Sequence, residues 1–442
     1  MRRIEIDGSA EFQFLDALQD RESDIDTNVV TSVAAIIDDV KRRGDNAVRD
    51  YGLAFDGIAP VSFEVPKAEW EQAYATADPK FVRALERAAE NIRVYHEKQI
   101  ENGFRIHKES GSWLSQRISG LQKVGIYVPG GTAAYPSTVL MNAIPATIAG
   151  VEEIIMTTPP CHGSESGDRA GMANPDILVA AYIAGVDRVF LAGGAQSIAA
   201  LAFGTVSFPK VDKIVGPGNQ YVATAKRLLY GKVDIDMIAG PSEIMIIADE
   251  TANPAFIAAD LLSQAEHDPM AAVMLLTTSE EIADRTILEI DAQKALLERN
   301  EVIEASLADY GAVILCKNRD EMVWLCDLVA PEHLEIMTRD PEQLFDQIKN
   351  AGSVFLGDFS PEPLGDYYAG TNHVLPTSGT ARFSSPLGVY SFIKRTSCTY
   401  YTKQDLESSR DDILEIARRE GLTAHGNSIE MRFAERRNED EI

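Results

Sequence analysis

Residues 124–131 read VGIYVPGG, and two later stretches follow the same plan, LAGGAQ at 191–196 and KIVGPGN at 213–219. Each is a short apolar run that stops at glycine or proline. Such a run, bounded by turn residues, fits a buried strand. Helix-compatible stretches lie between them, near 137–150, 175–185 and 195–204. Strand, tight glycine turn and helix in repetition predict a parallel sheet with crossover helices. Glu153–Met156 completes the strand set for residues 120–243. Ligands of such sheets sit outside the carboxyl ends of the strands, where the three glycine turns fall.

The pattern resumes after residue 243. Ile244–Ile247, Val273–Leu276, Val313–Leu315 and Ser353–Leu356 are the expected strands, with helices near 254–267, 279–298, 319–329 and 341–349. The first hundred residues read differently. Val29, Val33, Ile36, Ile37 and Val40 have helical spacing, followed by Lys41–Arg43 and Gly44. Asp78–Pro79 opens a second helix as N-cap and first-turn proline. The expected architecture is α/β. It has a helical N-terminal part (1–119) that packs partly with the second α/β unit. A first Rossmann-like unit (120–243) and a second (244–380) follow, then a small helical C-terminal arm (381–442). Residues 161–173 read as a polar surface loop.

Composition narrows the function. Lys+Arg is 41 against Asp+Glu 68 in 442 residues, a formal charge of −27. Such a surface repels nucleic-acid phosphates and anionic lipid. The four cysteines, Cys161, Cys316, Cys326 and Cys398, form no CxxC pair, so neither a disulfide framework nor a thiolate zinc site is indicated. The charge-free stretches 124–151 and 189–209 contain prolines and glycines and fit a buried core better than a membrane span. The expected setting is the cytoplasm.

Several polar groupings carry potential chemistry. Gln264 and His267 are three apart on an expected helix and share a face. They can hold a metal together or simply solvate a helix end. Glu332-His333 is a carboxylate beside an imidazole, suited to acid–base work, or an exposed capping pair. Asp366 lies in a glycine-rich loop that serves binding carboxylates and Asx turns alike. His425 follows a charged helix ending at Glu420, where a surface histidine is the ordinary occupant. No GxGxxG, Walker or Gly-x-Ser-x-Gly motif is present, so local motifs alone do not reveal a dinucleotide site or a serine nucleophile.

Read together, the segments resemble the histidinol dehydrogenase family. The resemblance rests on GIYVPGG (125–131), STVLMNAIPA (137–146), LAGGAQSIAALAFGT (191–205), KIVGPGNQYV (213–222), DMIAGPSEI (236–244), LLSQAEHD (261–268), LVAPEHLEI (328–336), GDYYAGTNHVLPT (365–377) and GLTAHGN (421–427). It implies the oxidation of L-histidinol to L-histidine through an enzyme-held aldehyde, with two NAD+ and one Zn2+ per subunit. The implied zinc ligands are Gln264, His267, Asp366 and His425, and the acid–base pair is Glu332 and His333. Ser242 and Glu420 would also meet substrate, together with His333 and the four ligands. Tyr127, Gln196 and Asn219 would contact NAD. The family works as a homodimer, so the C-terminal arm would bring His425 and Glu420 to the neighbour's site. Oxygen and nitrogen donors without thiolate suit zinc. Three other readings remain: a related dehydrogenase of another small alcohol, a non-catalytic binding homologue, and a metal hydrolase.

Overall fold

The computed structural model describes residues 1–23, 27–130, 134–161, 169–238 and 240–434. Gly131, His162 and most of the expected polar loop fall outside them. Contacts divide the chain into two compact units. The first comprises Met1–Ile100 and Gly120–Phe392, the second Glu101–Ser119 and Ile393–Ile442.

The first unit contains two all-parallel sheets, as the strand–turn–helix pattern predicts. One sheet has five strands in the order Arg188–Leu191, Glu153–Thr158, Lys123–Tyr127, Lys213–Val215 and Asp234–Ile235. Its strand order reverses between Lys123–Tyr127 and Lys213–Val215, where Val124 pairs with Lys213 and Ile126 with Val215. The other sheet has six strands in the order Arg2–Glu5, Gly311–Leu315, Ala272–Thr277, Glu243–Ala248, His333–Met337 and Ser353–Leu356.

Side chains alternate across a strand, and helices cover both faces here, so the strands are apolar on both sides. Ile244 and Ile246 join one core while Met245 and Ile247 join the other, all fully buried. Val124 and Ile126 point to one side of the first sheet and Tyr127 to the other. Each such buried aliphatic side chain contributes about 1.5–3 kcal/mol. Side-chain caps fix the helix starts: Asp78 accepts from Lys80 N at 2.8 Å, and Asn219 accepts from the amides of Tyr221 and Val222 at 3.1 and 3.2 Å.

Two strands of the six-stranded sheet lay outside the sequence expectation, as did Asp234–Ile235 in the other sheet and the three strands of the second unit. Arg2–Glu5 pairs with Gly311–Leu315 at the sheet edge. An edge strand needs only one inward residue, here Ile4, so its polar sequence hides it. His333–Met337 is central, and all five residues are buried. Leu334 and Ile336 enter the core, while His333 and Glu335 take the alternate positions, so the polar residues mask a core strand. The expected N-terminal helices divide between the sheets. Phe14, Leu15 and Leu18 pack on the six-stranded sheet, and the helix Thr27–Arg43 on the five-stranded one.

The second unit has a three-stranded sheet, ordered Ile393–Tyr400, Trp113–Gly120, Phe104–His107. Trp113 stacks on Tyr400 at 5.7 Å between centroids, and Arg395 pairs with Glu101 at 2.6 Å. Helices Lys403–Ser408, Arg410–Arg419 and Thr423–Glu430 follow. No helix among the described residues is long and apolar enough to cross a membrane.

Candidate active site

The helix Arg319–Val329 ends at Ala330, whose φ of 52° is left-handed and uncommon outside glycine. Pro331 and Glu332 then lead into the strand that begins at His333. Because Glu332 precedes the regular strand, it need not alternate away from His333, and both line one cavity of about 220 Å3. Register places His333 opposite Ile244. The Glu243 peptide is thereby beside both side chains. Glu243 N donates to Glu332 Oε2 at 3.0 Å, and the Glu243 carbonyl lies 2.9 Å from His333 Nδ1. A carbonyl only accepts, so Nδ1 carries the proton and Nε2 the lone pair. Burial keeps His333 below the usual histidine range and pushes the Glu332 carboxyl well above its own. Burial thus opposes charge on both side chains.

Two helices supply the opposite wall. Asp260, Gln264 and His267 recur at four- and three-residue spacing along and just beyond the helix Pro254–Ala265, so they share its face. Gln264 is fully buried, and neither Oε1 nor Nε2 has a hydrogen-bond partner. The short helix Glu362–Tyr367 carries Glu362 and Asp366 one turn apart, and its first amide donates to Glu335 Oε1 at 2.7 Å. Ligand atoms of His333, Glu362 and Asp366 lie within 4.8 Å of one another. Asp366 Oδ1 is 3.6 Å from His373 Nδ1, and Glu362 Oε1 is 3.7 Å from His333 Nε2. Burial raises Asp260 to about 6, Glu362 to about 9, and Glu335 well above the carboxylate range.

This donor set fits a divalent cation. A buried amide without partners is costly unless it binds something. Gln264 and His267 also lie at a helix C-terminus, whose free carbonyls favour positive charge. His267, Asp366, Glu332 and Ser242 line the same cavity as His333.

That cavity shares a loop with a second one. Gly216, Pro217 and Gly218 line the first, while the next residue, Asn219, lines a cavity of about 490 Å3 with Tyr127, Gly194 and Gln196. The second cavity opens where the five-stranded sheet reverses its order, the usual crevice of such sheets. Tyr127 Oη accepts from Gly194 N at 3.3 Å, and burial raises its phenol to about 12. Gln196 is buried, and its Oε1 has no partner. The shared loop is clamped by a sealed ion pair, Lys226 and Asp236. Lys226 Nζ donates to Gly216 O at 2.9 Å, and Gly216 N donates to Asp236 Oδ2 at 2.8 Å. Gly216 has φ 109°, and a Cβ there would fall 2.1 Å from the Tyr127 carbonyl oxygen, which requires glycine.

The model of the family described as histidinol dehydrogenase matches residues 19–433. The chain belongs to the histidinol dehydrogenase family. Histidinol dehydrogenase of Clostridium acetobutylicum is 53% identical over 98% of this chain and 99% of its own. That of Bacillus subtilis is 50% identical over 91% and 92%. The crystal structure of histidinol dehydrogenase from Elizabethkingia anophelis superposes with a TM-score of 0.90 at 38% identity, covering 98% of each chain. The protein is therefore an enzyme, an oxidoreductase of the histidinol dehydrogenase family.

Against the site that the family resemblance implies, the structure brings Ser242, His267, Glu332, His333 and Asp366 to one cavity, with Gln264 one turn before His267. It places Tyr127, Gln196 and Asn219 in the other. Glu420 and His425 are exposed residues of the second unit, the former capping the helix Arg410–Arg419 and the latter within Thr423–Glu430. Sequence reasoning missed Asp260, Glu335 and Glu362. Their signal was present as carboxylates at helical or strand spacing from Gln264, His333 and Asp366. It also gave no role to His373, Lys226 or Asp236.

Proposed function

We propose that this enzyme oxidises L-histidinol to L-histidine with two NAD+ through an enzyme-held aldehyde, as the last step of histidine biosynthesis, and that it works in the cytoplasm. The balance is one alcohol, one water and two NAD+ giving one carboxylate, two NADH and three protons. NAD+ is the hydride acceptor in both steps. His333 Nε2 takes the hydroxyl proton as the first hydride leaves the carbinol carbon. Glu332 then draws a proton from water as its oxygen bonds to the aldehyde carbon, and His333 takes the hydrate's proton as the second hydride leaves.

Gln264, His267 and Asp366 hold Zn2+ in this reading, with His425 of the partner arm as the fourth ligand. Bound there, Zn2+ would supply a template for the substrate's imidazole and amine, Lewis acidity, and a positive charge that favours the carboxylate form of Glu332. Ser242 and the partner's Glu420 contact substrate. Tyr127, Gln196 and Asn219 contact NAD. Residues 120–243 thus form the coenzyme side, 244–380 the metal and catalytic side, and 381–442 an arm exchanged within a homodimer.

The observation that carries the reading is His333, held through Nδ1 by the Glu243 carbonyl with Nε2 free to accept a proton. The test is NADH formed per L-histidinol consumed, with and without chelator. About two NADH, lost on chelation and regained with zinc, supports the reading. No NADH from fully metallated dimer overturns it and points to another alcohol or to binding alone.

A further inference from the structure

This chain's own proposed zinc ligands come from two helices, and one of them is too short to hold itself. Asp366 belongs to Glu362–Tyr367, a helix of six residues. Isolated helices shorter than about 12–15 residues are marginal in water. Its place therefore comes from what it docks on, and it has two supports. At its start Glu362 N donates to Glu335 Oε1 at 2.7 Å. Three residues on, Gly365 lies against the Phe355 ring, where a Cβ would fall 2.6 Å from a ring carbon. Phe355 is the register partner of Glu335 on the neighbouring strand, and its ring centroid is 6.3 Å from that of His333. The short helix thus rests on one spot of the sheet, two residues along from His333.

Glu335 faces the other ligand-bearing helix as well. Along His333–Met337, Leu334 and Ile336 enter one core, while Met337 enters the other with Ile257, Leu261 and Ala265 of the helix Pro254–Ala265. Glu335 lies between His333 and Met337 on that second face. It is 1% exposed, and Asp260, one turn before Gln264, is the carboxyl beside it. Glu335 therefore stands under both helices that carry ligands and on the strand that carries His333. A buried acid is costly, and its charged neighbours Asp260 and Glu362 are acids too. An apolar residue would fill this core position more cheaply, but it could not accept from the Glu362 amide.

We infer that Glu335 is the positioning residue of the metal centre: its Oε1 fixes the short helix to the sheet and so sets Asp366 against Gln264 and His267. This rests on the metal reading above. Glu335 is no ligand itself; it acts through the Glu362 amide.

The test is the zinc affinity of the intact enzyme, stripped of metal and titrated in competition with a chromophoric chelator. Glu335→Gln keeps an oxygen that accepts from Glu362 N, whereas Glu335→Leu has nearly the same size and no acceptor. Glu335→Gln should stay within about threefold of wild type. Glu335→Leu should bind zinc about 10–100-fold more weakly than Glu335→Gln, the usual scale for a group that orients a metal ligand. A purely space-filling role would make leucine at least as good as glutamine. Gly365→Ala, which lifts the same helix off Phe355 and leaves every acid in place, should lose about tenfold, and it carries the test if Glu335→Leu does not fold. Glu335→Leu binding within about threefold of Glu335→Gln overturns the inference alone, as does wild-type affinity in Gly365→Ala where the leucine variant does not fold. A wild type that takes up no zinc, or an Asp366→Asn variant that keeps wild-type affinity, overturns the metal reading and the inference with it.

Discussion

Lys226 and Asp236 offer a direct measure of what holds the two cavities in register. Their side chains are only 4% and 1% exposed. Lys226 holds the carbonyl of Gly216, and Asp236 holds its amide. Asp236 Oδ1 also accepts from Met237 N at 2.7 Å. Removing one partner of a buried pair costs about 3–5 kcal/mol. Lys226→Met leaves the carboxylate with two amide donors, each a charge-assisted bond of about 1.5–3 kcal/mol, so the loss belongs near the lower end. Asp236→Leu strands the ammonium on one carbonyl and frees the Gly216 amide, so the loss belongs near the upper end. At about 2 °C per kcal/mol for a large chain, the unfolding midpoint should fall by about 6 °C in the first variant and about 10 °C in the second. The double variant removes both charges and should lose less than the sum of the single losses, because neither charge is left alone. Scanning calorimetry of the four proteins is the assay. Single variants within about a degree of wild type, or a double variant showing the full sum, would refute the clamp.

Three further outcomes are expected. His333→Asn and Glu332→Gln should each lower turnover by about 10²–10⁴-fold while bound metal, read by elemental analysis, stays the same; unchanged turnover in both removes their assigned roles. Gln264→Leu and Asp366→Asn should lose metal in the same analysis, and full metal content in both variants excludes them as ligands. His96 is buried with Nδ1 2.8 Å from the Ile92 carbonyl and Nε2 facing the Asn372 amide, and burial holds it below its ordinary 6.5. The unfolded chain therefore binds the extra proton. The His96 contribution is whole above pH about 6.5 and declines as pH falls through that value, so His96→Gln should flatten the acid decline of the unfolding midpoint. Parallel acid limbs in the two proteins would refute this.

The first sheet was legible because its ligand loops obey a general rule. Carboxyl-end turns rich in glycine announce themselves, and the structure puts Tyr127, Gly194 and Asn219 around one crevice. The second sheet does not follow the rule. Glu243 and His333 begin their strands, so the chemistry lies at the amino ends, where helices arrive by their C-termini. Local spacing could show that Gln264 and His267 share a face, but not that the loop after a distant strand faces them. Glu362 and Glu335 were harder still. A glutamate in a loop-like segment and one in an apolar run both read as solvent-facing, and only the sheet register sets them against His333 and the helix Glu362–Tyr367.

The buried acids also give the proposed metal reading a thermodynamic consequence that the ligand set alone does not. Asp260, Glu332, Glu335 and Glu362 are all raised by burial, to about 6 for Asp260 and about 9 for Glu362. Without a cation the folded site holds protons that the unfolded chain releases at ordinary carboxylate pH. This contribution to stability is complete at low pH and is lost as pH rises through the raised values. A divalent ion beside the same carboxyls lowers them again, so binding must expel protons. Zinc affinity should therefore climb with pH across the neutral range. Calorimetric titration at pH 7 in two buffers of different ionisation enthalpy counts the protons released. Asp260→Asn and Glu335→Gln, which remove acids outside the proposed ligands, should reduce that count without abolishing binding. A count of zero in the wild-type protein, or one that neither substitution changes, would show that these acids keep their protons and do not answer to the metal.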